Sequence, residues 1–252
     1  MRKKRTVVTL AAVALAALTT LFLAGNGAAT AGSQEAAAAP TKFSNEDLRQ
    51  MLVPESEQRK TASSLQPTIT IAEAVATGQF GTGPGISSEP KACLEMTSAL
   101  GDLSRVEGYM QSGERSQGAA PESLQRYFMT AVFQIPGGAS TAIDKVAKVL
   151  RTCSAGTIRL DAGGGEPLRG SISYAEHEAP ALNGARTFAS ALTTILPWTD
   201  SSSTDTVPVV QECHAQLTLA ANGDLLIWSV EPTKQLAVNS VRTVHERALA
   251  LS

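Results

Sequence analysis

The side chains with the most versatile chemistry in this chain belong to three cysteines and three histidines. They are Cys93, Cys153 and Cys213, and His177, His214 and His245. No two histidines stand in an H-x-H or H-E-x-x-H spacing, so a zinc site is not expected. His214 directly follows Cys213, but neighbouring residues of a strand face opposite sides, which argues against a catalytic Cys–His pair. The sequence therefore predicts no metal site and no cofactor.

Two further stretches come close to a catalytic motif, but each lacks an essential residue. Residues 138–142 (GASTA) lack the second glycine of a nucleophile elbow. The glycines at 163–165 lack the following Lys-Ser/Thr that a phosphate-binding loop needs. His177 stands between Glu176 and Glu178, which a strand would point away from it, so these carboxylates are interpreted as surface charge. The chain is expected not to be an enzyme.

The N-terminus has the pattern of an export signal. Arg2-Lys3-Lys4-Arg5 is positively charged, an apolar run follows over residues 7–24, and Ala29-Thr30-Ala31 is an A-x-A cleavage site. We expect residues 1–31 to be a signal peptide that is removed after Ala31, so that the mature chain is secreted without a membrane anchor. The apolar run also reaches the lower length limit of a membrane span, and a tether through an uncleaved signal anchor is the alternative.

The composition of the remaining chain narrows the class of partner. Residues 32–41 are typical of a flexible linker, which leaves residues 42–252 for a single domain. Removing the four basic residues of the signal changes the formal net charge from −2 to −6, which argues against nucleic acids and anionic membranes as partners. Aromatic residues make up 4% of the chain, too few for a stacking platform.

Four helices are predicted from capping signals and apolar periodicity. The first begins after Ser44, which can cap it together with Asp47, and the others are expected at 91–100, 141–152 and 236–250. The last two carry apolar stripes at helical spacing: Ile143, Val146, Ala147 and Leu150, then Ala237, Val241, Val244 and Ala248. His245 is placed on the polar flank of the last helix, and Gly156 is expected to terminate the 141–152 helix.

The strand pattern indicates an antiparallel sheet. Strands are predicted at 106–110, 127–135, 157–160, 170–177, 186–196, 207–219 and 225–230. The 127–135 strand alternates and is expected to be half-buried, whereas residues 225–228 are apolar on both faces and predict a central strand that is covered twice. Asn222-Gly223 predicts a hairpin turn, and residues 68–90 are expected to form a polar loop. The predicted fold class is α+β, an antiparallel sheet with helices packed against it in one domain.

From residue 43 to the C-terminus, the chain resembles the extracellular sensor domain of the PknH type. Pro90-Lys91-Ala92-Cys93 matches the segment that opens at the family's first cysteine, and Leu150-Arg151-Thr152-Cys153 matches the helix end that carries the second. Cys213-His214-Ala215-Gln216-Leu217 leads into a hairpin, as at the family's third cysteine. In that family the domain is the outer part of a mycobacterial receptor Ser/Thr kinase, and it also occurs in free lipoproteins of related bacteria.

The cysteine count departs from that family. The strand after the hairpin ends in a fourth cysteine there, which bonds the third. Here the residues expected opposite Cys213, with Asn222-Gly223 as the turn, are at or near Val230 and Pro232. The resemblance implies a Cys93–Cys153 disulfide, which closes a loop of about sixty residues and is worth roughly 4 kcal/mol. It also implies that Cys213 is a free thiol, either inert and buried or available for an intermolecular disulfide. From the residues alone, three cysteines permit three pairings.

The resemblance implies a secreted, non-enzymatic sensor-like domain that binds an extracellular ligand in a cleft beside its sheet. Trp198, which lies near a polar loop, is the candidate for ligand contact, whereas Trp228 is assigned to the core. A cell-envelope or secreted protein–protein interaction module is the first alternative, with an envelope protein as partner, and a secreted hydrolase is the second. A concave apolar pocket with a few polar groups would favour the ligand-binding interpretation.

Overall fold

The computed structural model of the protein describes residues 43–80, 85–116, 126–135, 137–161, 167–198 and 209–252. For residues 196–198 and 209–213 it describes the backbone alone. The predicted signal peptide (1–31) and linker (32–41) lie outside these ranges and stay predictions. The helices are α1 Asn45–Met51, α2 Glu55–Gln58, α3 Ile71–Ala76, α4 Ala139–Arg151 and α5 Lys234–Leu251. Short 3₁₀ helices lie at Lys91–Leu94, Ser98–Leu100 and Leu103–Arg105.

The described strands form one antiparallel sheet. They are β1 Ala62–Leu65, β2 Ile69–Thr70, β3 Ile86–Glu89, β4 Gly108–Arg115, β5 Tyr127–Gln134, β6 Gly156–Leu160, β7 Leu168–Glu176, β8 Arg186–Trp198, β9 Val209–Asn222 and β10 Leu225–Glu231. Their order across the sheet is β1-β4-β5-β10-β9-β8-β7-β6-β3, and β2 pairs with β4. The antiparallel α+β class predicted from the sequence is therefore confirmed.

Strand β10 lies near the middle of the sheet, between β5 and β9, as its apolar sequence predicts. All seven of its residues are buried. Leu226, Trp228 and Val230 enter the larger core cluster on one face, whereas Leu225 and Ile227 enter the smaller cluster on the other. Helix α4 packs on the first face, and α5 and α1 pack on the second. The sheet is therefore the middle of three layers.

The local signals predicted helices α1, α4 and α5, and the buried faces of the last two. Ser44 caps α1, and Asp47 completes a capping box by accepting from the Ser44 backbone N–H at 2.9 Å. The predicted stripes of α4 and α5 are buried. His245 is the exception in α5, because it is only 3% exposed and not on a polar flank. Its spacing from Val241 and Val244 places it inside the stripe, and its Nε2 lies 3.0 Å from the Asn183 carbonyl oxygen.

Other expectations are corrected by the structure. Residues 68–90 contain β2, α3 and β3 in addition to loop, because Thr70 and Glu73 form a capping box that begins α3. The predicted 91–100 helix is two 3₁₀ segments. Strand β5 is buried on both faces because the larger core cluster packs on one face, at Phe133, and the smaller cluster packs on the other, at Val132. Gly156 begins β6 instead of terminating α4. A Cβ there would lie 2.9 Å from the Cys93 sulfur, so the missing side chain makes room for that thiol.

The β9–β10 hairpin turns one residue later than predicted. Leu225 pairs with Asn222, so the two loop residues are Gly223 and Asp224. Gly223 takes a φ of 60°, the positive value that tight hairpin turns require at their first loop position. The pairing register therefore shifts by two residues, which preserves the face of every side chain. Strand β10 ends at Glu231 opposite Gln216, so the residues predicted opposite Cys213, near Val230 and Pro232, do not pair with it.

Candidate functional site

A cavity of about 180 Å³ opens beside the C-terminal end of α4. It lies between that helix end and strands β7 and β8, and we call it the α4 cavity. Its lining residues are Leu150, Arg151, Ser154, Tyr174, Glu176, Phe188 and Ser190. Four of these form a buried floor, namely Leu150, Tyr174, Phe188 and Ser190. The remaining three are exposed and form a polar rim.

Strand alternation and pairing register build this floor. Tyr174 and Glu176 are two residues apart on β7, and Phe188 and Ser190 are two apart on β8, so all four side chains lie on the α4 face. Glu176 pairs directly with Ser190 across the two strands. The Ser190 hydroxyl donates to the Ala175 carbonyl oxygen at 3.2 Å, so the floor presents the rings of Tyr174 and Phe188 as its main apolar surface.

An ion pair between Arg151 and Glu176, which we call the rim pair, stands at the mouth of the cavity. The guanidinium donates from Nε to Glu176 Oε2 at 2.8 Å and from Nη2 to Oε1 at 3.1 Å. The two side chains are 62% and 46% exposed. Hydrogen bonding from Arg151 lowers the pKa of the Glu176 carboxyl, and the same bond raises the pKa of Arg151. Both charges are therefore in place at neutral pH.

The two bridging candidates among the cysteines lie directly behind the cavity floor. The Tyr174 hydroxyl donates to the Cys93 carbonyl oxygen at 3.2 Å, and its backbone N–H donates to the Cys153 carbonyl oxygen at 3.1 Å. Cys93 and Cys153 are buried thiols joined by a side-chain hydrogen bond. The structure thus brings the two thiols together without an S–S bond, and the predicted disulfide stays a prediction.

Burial raises the pKa of two side chains in this region. It raises the pKa of Cys93 to about 12, with the hydrogen bond to Cys153 as the next cause. It also raises the pKa of Tyr174 strongly. Since thiolates and not thiols act as nucleophiles, the protonated Cys93 is unreactive at neutral pH. The buried Cys93 thiol therefore supports the floor and supplies no nucleophile at neutral pH.

A second Arg–Glu pair, which we call the buried pair, lies on the far side of the sheet centre. Arg115 and Glu231 are 6% and 0% exposed, and the guanidinium binds the carboxylate in a bidentate manner, with Nε 2.9 Å from Oε2. Arg115 also donates to Gln58 Oε1 at 2.9 Å, and Ser240 donates to Glu231 at 2.6 Å. The Arg115 Cζ lies 3.8 Å from the centroid of the Phe128 ring. These contacts satisfy both charges, so the pair is structural.

The histidines lie apart in the fold. His177 Nε2 is 3.0 Å from Gln216 Oε1, His214 Nδ1 is 3.2 Å from Thr193 Oγ1, and His245 is bound to a turn carbonyl. Over the described ranges, no three His, Cys, Asp or Glu side chains gather as a metal site would require. Within the same ranges, no helix is both long and apolar enough to span a bilayer.

Two of the predicted site residues have only their backbones described. Trp198 pairs with Val209 at the end of β8, ten residues beyond Phe188 of the cavity floor, which is about 33 Å at the usual strand rise. Cys213 pairs with Thr194. Their side chains lie outside the description, so the ligand role of Trp198 and the free thiol of Cys213 stay predictions. Trp228 is fully buried in the core, as expected.

The residues that line the α4 cavity were not selected from the sequence. From the sequence, Glu176 is expected to be a surface charge, and Arg151 stands out only as part of a cysteine motif. Tyr174 and Phe188 could have been predicted to face the core, because the alternation of β7 and β8 places both on the apolar face of a predicted strand. The sequence does not show that the C-terminal end of α4 lies over these two strands.

The fold is similar to that of a solved extracellular domain. The structure matches the crystal structure of the extracellular domain of PknH from Mycobacterium tuberculosis with a TM-score of 0.50 and 10% identity, over 84% of this chain and 98% of that one. The chain therefore has a PknH-like sensor-domain fold. The Rv0999 ortholog from Mycobacterium smegmatis also matches, over 82% and 95% of the two chains, with 12% identity and a TM-score of 0.38, which is too weak to bear on the fold. No protein-family model matches the chain, and no curated protein sequence does.

Proposed function

We propose that this protein is an exported, non-enzymatic sensor-like domain that binds a small extracellular ligand in the α4 cavity. The observation that carries the proposal is the cavity itself, a concave apolar floor with a few polar groups at its rim. This is the usual composition of a small-molecule site. The PknH-like fold also occurs in an extracellular domain, but a shared fold alone is weak evidence of a shared function.

A second, apolar void on the other side of Tyr174 has a volume of about 10 Å³, enough for one water at most. Its walls are the core residues Met96, Leu192, Ala215, Leu217 and Val230. Large exposed hydrophobic side chains among the described residues are Leu249 and Leu251, both near the C-terminus. Ligand binding is therefore favoured over a protein-interaction face.

Non-enzymatic function fits the chemistry of the site. The cavity lining offers one cation, one carboxylate and three hydroxyls, and the two charges neutralise each other at 2.8 Å. These hydroxyls would need an adjacent general base to act as nucleophiles, and the one carboxylate of the lining, Glu176, is bound to Arg151. The site can bind and orient a small molecule, and it has no group arranged to attack one.

The test of ligand binding is native mass spectrometry of the exported protein, before and after denaturation. A co-purified small molecule is expected in the native spectrum of the wild type. It should be absent from Ser154→Trp, which places a large side chain at the exposed rim. Ser87→Trp, a change on an exposed position of β3 facing away from the core, is the matched control and should keep the ligand. Identical spectra for all three proteins would contradict the proposal.

Export has a separate test. The full chain is expressed in a bacterium, and the protein in the medium is weighed intact. We expect a mass that begins at Gly32, after loss of residues 1–31. A full-length mass confined to the membrane fraction would instead support the uncleaved anchor and overturn secretion.

A further inference from the structure

The charges at the mouth of the α4 cavity define the class of ligand, and this step rests on the function proposed above. We infer that the α4 cavity binds a zwitterionic apolar α-amino acid, with its carboxylate on Arg151, its ammonium on Glu176 and its side chain on the floor between Tyr174 and Phe188. The inference depends on three properties of the site. They are the opposite signs of the two rim charges, the access of a ligand to those charges, and the volume of the cavity.

The rim charges are opposite in sign and adjacent. An anionic ligand that reaches Arg151 must approach the Glu176 carboxylate, and a cationic ligand that reaches Glu176 must approach the guanidinium. A ligand with one charge of each sign separated by a single carbon gives both side chains a partner. The C-terminal end of α4 adds to this preference, because the partial negative charge of a helix C-terminus favours the ammonium group.

The rim pair is also available to a ligand. Its side chains are 62% and 46% exposed, and exposed ion pairs contribute little to stability because water and salt screen them. The pair uses Nε and one Nη2 donor of the five N–H donors that a guanidinium carries. Opening or rearranging it therefore costs little compared with the two charge-assisted hydrogen bonds that a zwitterion would form.

The volume of the cavity limits the size of the apolar side chain that the ligand can carry. A cavity of about 180 Å³ is smaller than the roughly 300–1,000 Å³ of pockets that bury drug-sized molecules. It slightly exceeds the engineered apolar cavity of about 150 Å³ that binds benzene in another protein. A benzyl or isobutyl group fits this space, and the charged end of the molecule then lies at the exposed rim. Phenylalanine and leucine are the simplest members of this class.

The experiment is a calorimetric titration of the purified protein with four probes. L-Phenylalanine carries both charges, N-acetyl-L-phenylalanine only the negative one, L-phenylalaninamide only the positive one, and benzyl alcohol neither. We expect L-phenylalanine to bind best and each singly charged analogue to bind at least about 10-fold more weakly, the usual effect of losing a hydrogen bond to a charged group.

Variants at the rim supply the matched controls. Arg151→Gln and Glu176→Gln should each weaken L-phenylalanine binding by about 10-fold or more and leave benzyl alcohol binding unchanged. Lys148→Gln and Glu178→Gln remove the same charges from exposed positions that do not line the cavity, and they should change neither affinity. Ser154→Trp should abolish binding of both probes.

The outcomes distinguish failure of the zwitterion assignment from failure of ligand binding in the cavity. If a singly charged analogue binds as tightly as L-phenylalanine, the zwitterion assignment is wrong while the cavity still binds ligands. If benzyl alcohol binds and L-phenylalanine does not, the assignment also fails and the proposed function survives. If the folded protein binds none of the four probes, the inference is overturned. The proposed function then depends on the mass-spectrometric comparison alone.

Discussion

The two Arg–Glu pairs of this molecule have the same chemistry and opposite environments. Arg115–Glu231 is enclosed, bidentate and completed by Gln58 and Ser240. Arg151–Glu176 has nearly the same geometry, but it stands in water at the mouth of a cavity. The comparison indicates that solvent exposure, and not the residue types, decides whether such a pair maintains the fold or remains available to a ligand.

The largest expected effect comes from removing one partner of the buried pair. Glu231→Gln leaves the Arg115 charge buried without its counter-ion, and this change typically destabilises a protein by about 3–5 kcal/mol. Denaturant unfolding monitored by circular dichroism measures it. Arg115→Met with Glu231→Leu removes both charges and should be less destabilised than the single variant. The contrast between the two pairs is wrong if Arg151→Gln destabilises the protein as much as Glu231→Gln does.

Oxidation of the cysteine pair behind the cavity is expected to have the next largest effect. A Cys93–Cys153 disulfide would close a long loop and stabilise the folded state by about 4 kcal/mol on the loop-entropy model. Unfolding with and without reductant measures this difference, and peptide mapping without reduction identifies the bonded residues. Cys213 should appear unbridged in the same map. A peptide that joins Cys213 to Cys93 or Cys153 would contradict the assignment.

The reduced protein should lose stability in alkaline solution. The pKa of Cys93 rises from its ordinary value of 9.0 to about 12 in the folded state. The unfolded chain therefore releases this proton first, so the contribution is complete below pH 9 and is lost as the pH rises from about 9 to 12. Unfolding midpoints of reduced wild type and reduced Cys93→Ser across this range give the measurement. Parallel pH profiles would show that Cys93 does not titrate as a buried thiol.

The smallest effect concerns the carboxylate of the rim pair. Hydrogen bonding from Arg151 lowers the pKa of Glu176, so its contribution is present above the ordinary pKa of 4.5 and is lost as the pH falls through the lower folded value. A carbon-detected NMR titration should show the pKa of Glu176 rising in Arg151→Gln. An unchanged titration of Glu176 would mean that the two side chains do not pair in solution.

The sequence predicts those parts of the molecule that depend on local patterns. The capping box at Ser44, the stripes of α4 and α5 and the apolar run of β10 each act within a few residues, and each was found. Both Arg–Glu pairs were missed because their partners are 116 and 25 residues apart in the chain. Only the register of the sheet and the packing of α4 on it bring these charges together.

Two local errors have local causes. The helix α3 was missed although Thr70 and Glu73 carry its capping signal, because the surrounding glycines and polar residues dominated the interpretation of residues 68–90. His245 was assigned to a polar flank by its residue type, whereas its spacing from Val241 and Val244 placed it in the buried stripe. In both cases the spacing was more informative than the composition.

The most direct test of the central claim is NMR mapping of L-phenylalanine on the isotope-labelled protein. We predict that chemical-shift changes concentrate on Leu150, Arg151, Ser154, Tyr174, Glu176, Phe188 and Ser190, with the resonances around Arg115 and Glu231 unchanged. Saturating shifts at the α4 cavity would establish that the exposed pair binds a ligand while the buried pair maintains the fold. Shifts centred elsewhere, or none at millimolar ligand, would contradict the account.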